Sequence, residues 1–263
     1  MARIHWKIRC SRNKKENNLN HKKNTHFGYS TTTVEEKGSK VGAVFDSVAP
    51  NYDLMNNIMS MGLHHVWKKI LIDTITLKNK SKILDIAAGT ADISLKFLKK
   101  NKNYELFHTD INLAMLKEGK RKLINEGKII PSILCDAEAL PFPENYFDCV
   151  TIGFGLRNMT NKTKALKEIF RVLSPGGKVV ILEFSKIWSP LTKIYDKFSF
   201  NILPKLGKLF AKDEESYKYL VESIRMHPNQ KNLLKLLEDQ GFEKTNFINL
   251  SAGIVAIHTG YKF

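Results

Sequence analysis

The sequence predicts an α/β fold: a doubly wound, mostly parallel sheet with helices on both faces, a C-terminal β-hairpin and an apolar helical cap. Three observations predict it. Short apolar runs alternate with amphipathic segments from residue 82 to residue 184, as in a parallel sheet with crossover helices. The first three runs end at Asp85, Asp110 and Asp136, at the sheet edge where such folds bind ligands. Residues 185–228 form an apolar insertion, and two strand-like segments close the chain.

The elements can be justified in order along the chain. An amphipathic helix is predicted for residues 63–77, with Val66, Ile70 and Leu71 on its apolar side. The predicted strands of the sheet span residues 82–86, 104–109, 131–135, 147–153 and 178–184. The helices between them span about 92–100, 112–125 and 161–173, and Ser174-Pro-Gly-Gly is a turn. A helix at 229–240 precedes the hairpin strands 243–249 and 252–260.

Positive charge is concentrated at the N-terminus. The chain of 263 residues carries a formal net charge of +16, and residues 1–34 hold eight Lys or Arg against one acid, which is +7. A basic, hydroxyl-containing and acid-poor segment is typical of a mitochondrial transit peptide. We therefore predict that residues 1–38 are a transit peptide or a disordered basic leader, and that residues 39–263 form the folded domain. A nucleic-acid-binding arm is the weaker alternative.

The remaining composition excludes several classes. The other nine net charges are spread over residues 35–263. The whole chain holds 35 Lys against 7 Arg, whereas a nucleic-acid interface favours arginine. Nowhere do 18 uncharged apolar residues follow one another, so no segment of the sequence spans a bilayer as a helix. The cysteines Cys10, Cys135 and Cys149 form no C-x-x-C pair, which argues against a disulfide framework or a zinc cluster and for a reducing compartment.

The first strand and the turn after it predict a cofactor site. Small residues around Gly89 allow close approach of the backbone to a ligand at a helix N-terminus. Asp110, 21 residues further on, suits ribose hydroxyls, and Asp136 with Ala137 suits an adenine edge. Several acids at one crevice, Asp85 included, favour the sulfonium cofactor S-adenosylmethionine over a dinucleotide pyrophosphate. The alternative is that these residues are ordinary turn formers.

The insertion at 185–228 admits three interpretations. It holds Trp188, Phe198 and Phe200 among many other apolar residues, with prolines as punctuation. Such a segment could cap a substrate pocket, pack into the core as helices, or lie against a membrane.

Two long motifs resemble one family. Tyr52-Asp-x-Met-Asn-x-x-Met-Ser-x-x-x-His-x-x-Trp67 is similar to the first signature of the ubiquinone/menaquinone biosynthesis C-methyltransferases, and Arg171-Val-Leu-Ser-Pro-Gly-Gly-Lys-Val-Val-Ile-Leu-Glu-Phe-Ser185 is similar to the second. The resemblance runs from about Val41 to Phe263. It implies a Rossmann-like S-adenosylmethionine-dependent methyltransferase domain and no metal.

The resemblance also assigns cofactor contacts. It implies that Thr90, Asp110, Asp136 and Ala137 touch S-adenosylmethionine. The departures from the family pattern are Ala88 and Ala91 where glycines are common, and Gly153 where relatives often have serine. An alanine methyl requires a negative φ or more room, which predicts weaker cofactor affinity. Gly153 remains a predicted cofactor contact without the serine hydroxyl.

The family's acceptor, a quinol ring carbon, predicts the catalytic residues. Such a carbon becomes nucleophilic when the neighbouring hydroxyl ionises, so the protein must help to form a phenolate. Arg157 is the predicted residue for this role, because a guanidinium stabilises an oxyanion, lowers the phenol pKa or orients a water molecule. Asn158 and Tyr52 would complete the hydrogen bonds. The alternatives are a surface ion pair for Arg157 and core packing for Tyr52; His64 is predicted to be structural.

The predicted activity is C-methylation of 2-methoxy-6-polyprenyl-1,4-benzoquinol in ubiquinone synthesis. The alternatives are demethylmenaquinol methylation, RNA methylation and a non-catalytic scaffold. The transit-like leader favours the benzoquinol and a location in the mitochondrial matrix, peripheral on the anionic inner membrane. By resemblance the partners are the polyprenylated quinol, other quinone-synthesis enzymes and a second copy in a homodimer, with no nucleic acid.

Overall fold

A computed structural model describes residues 24–100, 103–202 and 214–263. Most of the predicted leader, residues 1–23, lies outside the described residues. The described fold begins with a hairpin of β1 (Asn24–Phe27) and β2 (Ser30–Thr33), followed by helix α1 (Val34–Val48). The Phe27 ring stacks on the Tyr219 ring with centroids 4.3 Å apart. The predicted domain boundary at residue 39 is therefore placed too late, because residues before it already pack on the domain.

The central sheet has seven strands in the order β5-β4-β3-β6-β7-β9-β8. The strands are β3 (Lys82–Ile86), β4 (Glu105–Asp110), β5 (Ser132–Leu134), β6 (Phe147–Gly153), β7 (Leu173–Phe184), β8 (Glu243–Leu250) and β9 (Val255–Tyr261). β3 to β7 are parallel, and β9 and β8 run antiparallel beside β7. The doubly wound prediction is confirmed. β7 begins at Leu173 rather than at Lys178, because Leu173 pairs with Phe147.

Eight further helices complete the described chain. They are α2 (Tyr52–Ser60), α3 (Leu63–Thr74), α4 (Asp92–Leu98), α5 (Leu113–Asn125), α6 (Lys162–Val172), α7 (Thr192–Lys197), α8 (Glu214–Met226) and α9 (Gln230–Glu238). Three of them start where an asparagine accepts a hydrogen bond from the backbone N–H three residues later: Asn112, Asn161 and Asn229. An asparagine N-cap satisfies a backbone donor that the first helical turn leaves unpaired.

Two apolar cores cover the two faces of the sheet. On one face, Leu166 of α6 and Leu233 of α9 pack against β6 and β7. On the other, Trp67 and Leu71 of α3 pack with residues of α4 and the sheet. Val66, predicted on the apolar side of α3, is instead 51% exposed, because the buried face is centred on Trp67. The packing of the two cores on the sheet fixes the positions of the strand ends.

The insertion is helical over residues 189–202 and 214–226, and its described residues 185–188 and 227–228 are not helical. Leu220 of α8 is buried with Val41 of α1 and Met55 of α2, so this part of the insertion packs into a core. Trp188 and Phe200 in the first part are 63% and 40% exposed. No helix among the described residues has both the length and the apolar character to cross a bilayer.

Candidate active site

The loop between β3 and α4 places backbone amides at the carboxyl edge of the sheet. Ala87, Gly89 and Ala91 all adopt positive φ, at 50°, 53° and 65°. A Cβ at position 89 would lie 2.9 Å from Met115 Cε, so the end of the Met115 side chain would have to move. Of the two conditions expected for an alanine in this loop, a negative φ or more room, Ala91 does not meet the first, because it is fully buried in the left-handed conformation. The loop keeps its glycine-like shape at a cost in strain.

Asp110 at the end of β4 ties this loop to the next strand. Its Oδ2 accepts a hydrogen bond from the Gly89 N–H at 2.8 Å, and its Oδ1 accepts one from the Asn112 N–H at 2.8 Å. Burial raises the pKa of Asp110 to about 6, against the backbone hydrogen bonds that lower it. Each carboxylate oxygen keeps a second lone pair, so the group is able to accept ribose hydroxyls as well.

A cavity of about 390 Å³ lies beside this loop. Gly89, Asp110, Asp136 and Ala137 all line it, which brings together four of the seven predicted cofactor residues. The Oδ1 atom of Asp136 accepts a hydrogen bond from the Glu138 N–H at 2.8 Å, and the side chain is otherwise exposed. Volume, apolar walls and carboxylates at two neighbouring strand ends fit S-adenosylmethionine.

Helix α1 supplies a wall of the cavity that the sequence reasoning missed. The residues that line the cavity from this helix are Val34, Gly38, Val41, Gly42 and Phe45. Their spacing of four, three, one and three residues is one face of a helix. This periodicity was detectable, but the assignment of residues 1–38 to a leader divided the stripe.

The other three predicted cofactor residues do not line the cavity. Asp85 is fully buried, with its carboxylate accepting hydrogen bonds from Ser94 Oγ at 2.7 Å and Thr151 Oγ1 at 2.9 Å. Burial raises the pKa of Asp85 to about 6. Asp85 therefore joins α4 to the sheet instead of contacting a cofactor. A Cβ on Gly153 would lie 2.2 Å from Ile93 Cδ1, so a serine at this position would require the end of the Ile93 side chain to move.

Thr90 is hydrogen-bonded to a network of ion pairs next to the cofactor loop. Thr90 Oγ1 donates to Asp53 Oδ1 at 3.1 Å, and Lys122 Nζ lies 2.6 Å from Asp53 Oδ2 and 3.0 Å from Asp92 Oδ1. Lys68 Nζ contacts the other Asp92 oxygen at 2.7 Å. Burial acts to raise the pKa of Asp92, but the two lysines outweigh it and hold that pKa well below its usual range. The network fastens α2 and α3 to the cofactor loop.

Arg157 is held by a buried ion pair. Its Nη1 lies 2.9 Å from Glu183 Oε1, and Glu183 Oε2 accepts from the Arg157 backbone N–H at 3.1 Å. The two side chains are 4% and 0% exposed, so the alternative of a surface ion pair does not hold. Nη1 also donates to the Phe154 carbonyl, and the guanidinium lies 5.3 Å from the Phe184 ring centroid. Sequence reasoning missed Glu183, although it lies in the second motif.

Tyr52 and Asn158 both line the cofactor cavity. Burial raises the pKa of the Tyr52 phenol, while Lys68 and Arg157 lower it. Asn158 Oδ1 accepts a hydrogen bond from Tyr219 Oη at 3.0 Å. Phe154, with a strained φ of 59°, lines this cavity and also a smaller one that Arg157 lines. Two of the three predicted catalytic residues thus line the cofactor cavity, and Phe154 connects it to the third.

The described residues contain no group of three or more His, Cys, Asp or Glu side chains arranged to hold a metal ion.

Comparison with known proteins finds a family and relatives that match most of the chain. Residues 32–262 match the ubiE/COQ5 methyltransferase family. A Neisseria meningitidis protein named ubiquinone/menaquinone biosynthesis C-methyltransferase UbiE is 56% identical over 240 residues, covering 91% of this chain and 98% of the relative. The protein of the same name from Paraburkholderia phymatum is 54% identical, covering 91% and 99%.

Solved structures share the fold at low identity. A methyltransferase from Thermotoga maritima described as S-adenosylmethionine-dependent aligns with a TM-score of 0.60 at 16% identity, covering 84% of this chain and 99% of that one. The [4+2]-cyclase SpnF aligns with a TM-score of 0.63 at 17% identity, covering 84% and 94%. The predicted methyltransferase fold is confirmed, and the cyclase illustrates that the fold alone does not fix the reaction.

The predicted mitochondrial location is contradicted by these relatives. The proteins from Neisseria and Paraburkholderia are bacterial, so a matrix location and an import leader lose their support. The basic composition of residues 1–34 that suggested it also occurs in segments without a targeting role.

Proposed function

The chain belongs to the ubiE/COQ5 methyltransferase family and is an S-adenosylmethionine-dependent C-methyltransferase of quinone biosynthesis, and from that premise we propose that its acceptor is 2-methoxy-6-polyprenyl-1,4-benzoquinol. The observation that carries a quinol acceptor is Arg157, a buried cation held by Glu183 beside Phe154, which also lines the cofactor cavity. A benzoquinol and a naphthoquinol both form the oxyanion that this cation would stabilise, and the test below decides between them. A cation fixed beside a closed, apolar space suits an acceptor that becomes an oxyanion during the reaction.

The residues of this chain divide the work between cofactor and acceptor. S-adenosylmethionine supplies an electrophilic methyl group when bound. Asp110, Asp136 and the Gly89 loop hold the cofactor, and the walls around Phe154 exclude water from the acceptor side. Arg157 stabilises the ionised quinol hydroxyl, which raises electron density on the neighbouring ring carbon. Asn158 and Tyr52 orient the ring at the junction of the two spaces.

The acceptor is tested by methylation of short-chain analogues. The purified chain is given S-adenosylmethionine and, in anaerobic buffer, a prenylated 2-methoxybenzoquinol or a prenylated naphthoquinol at equal concentration. Mass spectrometry of the products is expected to show methylation at carbon with a preference for the benzoquinol. A preference for the naphthoquinol would assign the second activity in the relatives' name to this chain. Methylation of neither would contradict the proposal.

A contact with an anionic lipid surface is a second proposal, because a polyprenylated acceptor resides in a bilayer. The exposed rings of Trp188 and Phe200 lie in the same segment as the exposed lysines Lys186, Lys193 and Lys197. Apolar rings flanked by lysines are the composition of a peripheral lipid contact. Phe198, in contrast, is half-buried and is not suited to this role. The expected homodimer and the complex with other quinone-synthesis enzymes remain predictions.

Co-sedimentation with vesicles that contain an anionic phospholipid tests the lipid contact. The combined Trp188→Ser and Phe200→Ser variant is expected to lose binding. Ile129→Ser is the matched control, because Ile129 is 93% exposed at another place on the surface. Equal binding by both variants and the unaltered chain would contradict the contact.

A further inference from the structure

A second, very small cavity lies next to Arg157. It has a volume of about 10 Å³, the space of a single water molecule or hydroxyl oxygen. Its walls are apolar apart from a few side chains, and it is lined by Met55, Asn56, Met59, Ser60, His64, Phe154, Arg157, Phe184 and Leu220. Two of these, Arg157 and His64, are the ionisable groups. Phe154 separates this cavity from the cofactor cavity, which it also lines.

The hydrogen bonds of Ser60 fix the tautomer of His64. Ser60 Oγ lies 2.6 Å from the Asn56 carbonyl oxygen, and its single hydrogen must point there because two acceptors do not approach so closely. The same Oγ lies 2.8 Å from His64 Nδ1. Nδ1 must therefore carry the proton and donate to Ser60, which leaves Nε2 as a bare acceptor.

The two ionisable side chains at the cavity are complementary. Among the described residues, neither Nε2 of His64 nor Nε of Arg157 has a hydrogen-bond partner, and both atoms are buried. His64 as a whole is 3% exposed and Arg157 7%. One atom is an acceptor and the other is an N–H donor. Buried polar groups are rarely left unpaired, and the one group that satisfies both is an oxygen that carries a hydrogen.

We propose that this cavity binds the quinol hydroxyl next to the methylated carbon and that His64 is the catalytic base. This inference rests on the proposed function. The hydroxyl oxygen accepts a hydrogen bond from Arg157 Nε and donates its own hydrogen to His64 Nε2. In the proton transfer the O–H bond breaks, its electron pair stays on oxygen, and a new N–H bond forms at Nε2. The products are a phenolate beside the guanidinium and an imidazolium that donates to Ser60.

Burial is the main reason why the pKa of His64 is lowered to about 4, and Lys68 and His65 lower it further, while Asp92 and Asp53 act in the opposite direction. The lowered pKa keeps the imidazole neutral in the resting protein but also makes it a weaker base, so the proton transfer depends on the phenolate that forms beside it as the counter-charge of the imidazolium. Arg157 lines the same cavity. Phe154 lines both cavities, so it must shift when the ring reaches the cofactor cavity while its hydroxyl occupies this one.

The test compares His64→Gln with His26→Gln on two acceptors. Glutamine keeps a neutral polar group at position 64 but is not a base. His26 is the matched control, because it is an exposed histidine in β1. The acceptors are a short-chain prenylated 2-methoxyhydroquinone and its ring-fluorinated counterpart, whose hydroxyl is more acidic.

For the parent acceptor, kcat of the His64→Gln variant is expected to fall about 100-fold, with an unchanged Kd for the cofactor. The loss is expected to be much smaller for the fluorinated acceptor, because its hydroxyl ionises without help. His26→Gln should match the unaltered chain on both acceptors. An equal loss on both acceptors would show a structural role for His64, and no loss would show that the cavity holds only a water molecule; either result overturns the proposal.

A second measurement does not depend on turnover. Nitrogen-15 NMR of the unaltered chain is expected to show His64 protonated at Nδ1 and bare at Nε2, and addition of a fluorinated phenol is expected to shift the Nε2 signal. A proton at Nε2, or no shift with the phenol, would overturn the site. If the unaltered chain methylates neither quinol, the proposed acceptor is wrong. The NMR spectrum still decides whether the cavity binds a phenolic hydroxyl.

Discussion

The cofactor side of the site is held by main-chain hydrogen bonds, whereas the acceptor side is held by side chains. Gly89 and Asn112 present backbone N–H groups to Asp110. Across the Phe154 wall, the geometry depends on the buried pair of Arg157 and Glu183. Backbone bonds survive a change of side chain in the loop, which explains how alanines are accommodated where glycines are common. The acceptor side is less tolerant, because its ion pair needs one residue type at each of two positions.

The largest effect should follow from breaking the pair on the acceptor side. Glu183→Gln leaves the Arg157 charge buried without its counter-ion and is expected to lower the free energy of unfolding by about 3 kcal/mol. Urea denaturation measures this loss of unfolding free energy. Glu168→Gln is the control, because its pair with Arg171 is partly exposed, 21% and 34%, and should cost at most about 1 kcal/mol. Equal losses of unfolding free energy in the two variants would mean that the buried ion pair contributes no more to stability than the partly exposed one.

A smaller effect is expected on the cofactor side. Asp110→Asn places an amide where two backbone N–H groups and the ribose need an acceptor, and should raise the Kd of S-adenosylmethionine about 30-fold, or about 2 kcal/mol. Calorimetry measures the Kd, and kcat at saturating cofactor should change little. Asp148→Asn serves as control, since Asp148 accepts from the Lys82 N–H on the surface. An unchanged Kd in Asp110→Asn would remove this residue from the cofactor site.

The pH dependence of cofactor affinity follows from the same carboxylate. Its pKa is raised to about 6. In the proposed site the ionised form is the one that would accept the ribose hydroxyls. Affinity should therefore be constant above about pH 7 and fall as the pH drops through 6, approaching tenfold per unit below it. In Asp110→Asn this dependence should vanish. If cofactor affinity rises on acidification, the protonated form of Asp110 binds the cofactor, and the assigned protonation state is wrong.

The smallest effect concerns the strained alanine of the loop. Ala91→Gly relieves about 1 kcal/mol of left-handed strain, but it removes a buried methyl worth about 0.8 kcal/mol. The changes in unfolding free energy and in cofactor Kd should both stay small, the latter within about threefold. Ala88→Gly is the comparison, because Ala88 is not among the residues with positive φ. A Kd that tightens more than tenfold in Ala91→Gly would show that the alanine weakens the site, as the sequence predicts.

The helices, the strands and the residues at the ends of consecutive strands were predictable from the sequence. Contacts between residues that are brought together only by packing were not. Periodicity placed the strands and helices closely, and the spacing from Gly89 to Asp110 indicated the cofactor side. A strand-end carboxylate that turns inward, such as Asp85, looks the same in sequence as one that lines the cavity. The pairing of Arg157 with Glu183 joins residues 26 positions apart on separate elements, and no local pattern encodes it.

The helix α1 wall shows a different kind of limit. Its stripe has a clear helical period, yet the basic charge upstream led to a domain boundary inside the helix. Charge composition and helical period gave conflicting indications over residues 34–38, and the period was the better guide, because burial against α5 and α8 decides where a helix begins.

The division between the two sides is tested most directly by Arg157→Ala combined with Glu183→Gln, which leaves no unpaired buried charge. Cofactor Kd by calorimetry and quinol methylation rate are measured on the same preparation. The expected result is an unchanged Kd with kcat lower by about 100-fold or more, because the missing guanidinium stabilises only the acceptor oxyanion. Methylation at the unaltered rate, or loss of cofactor binding together with the rate, would contradict the account.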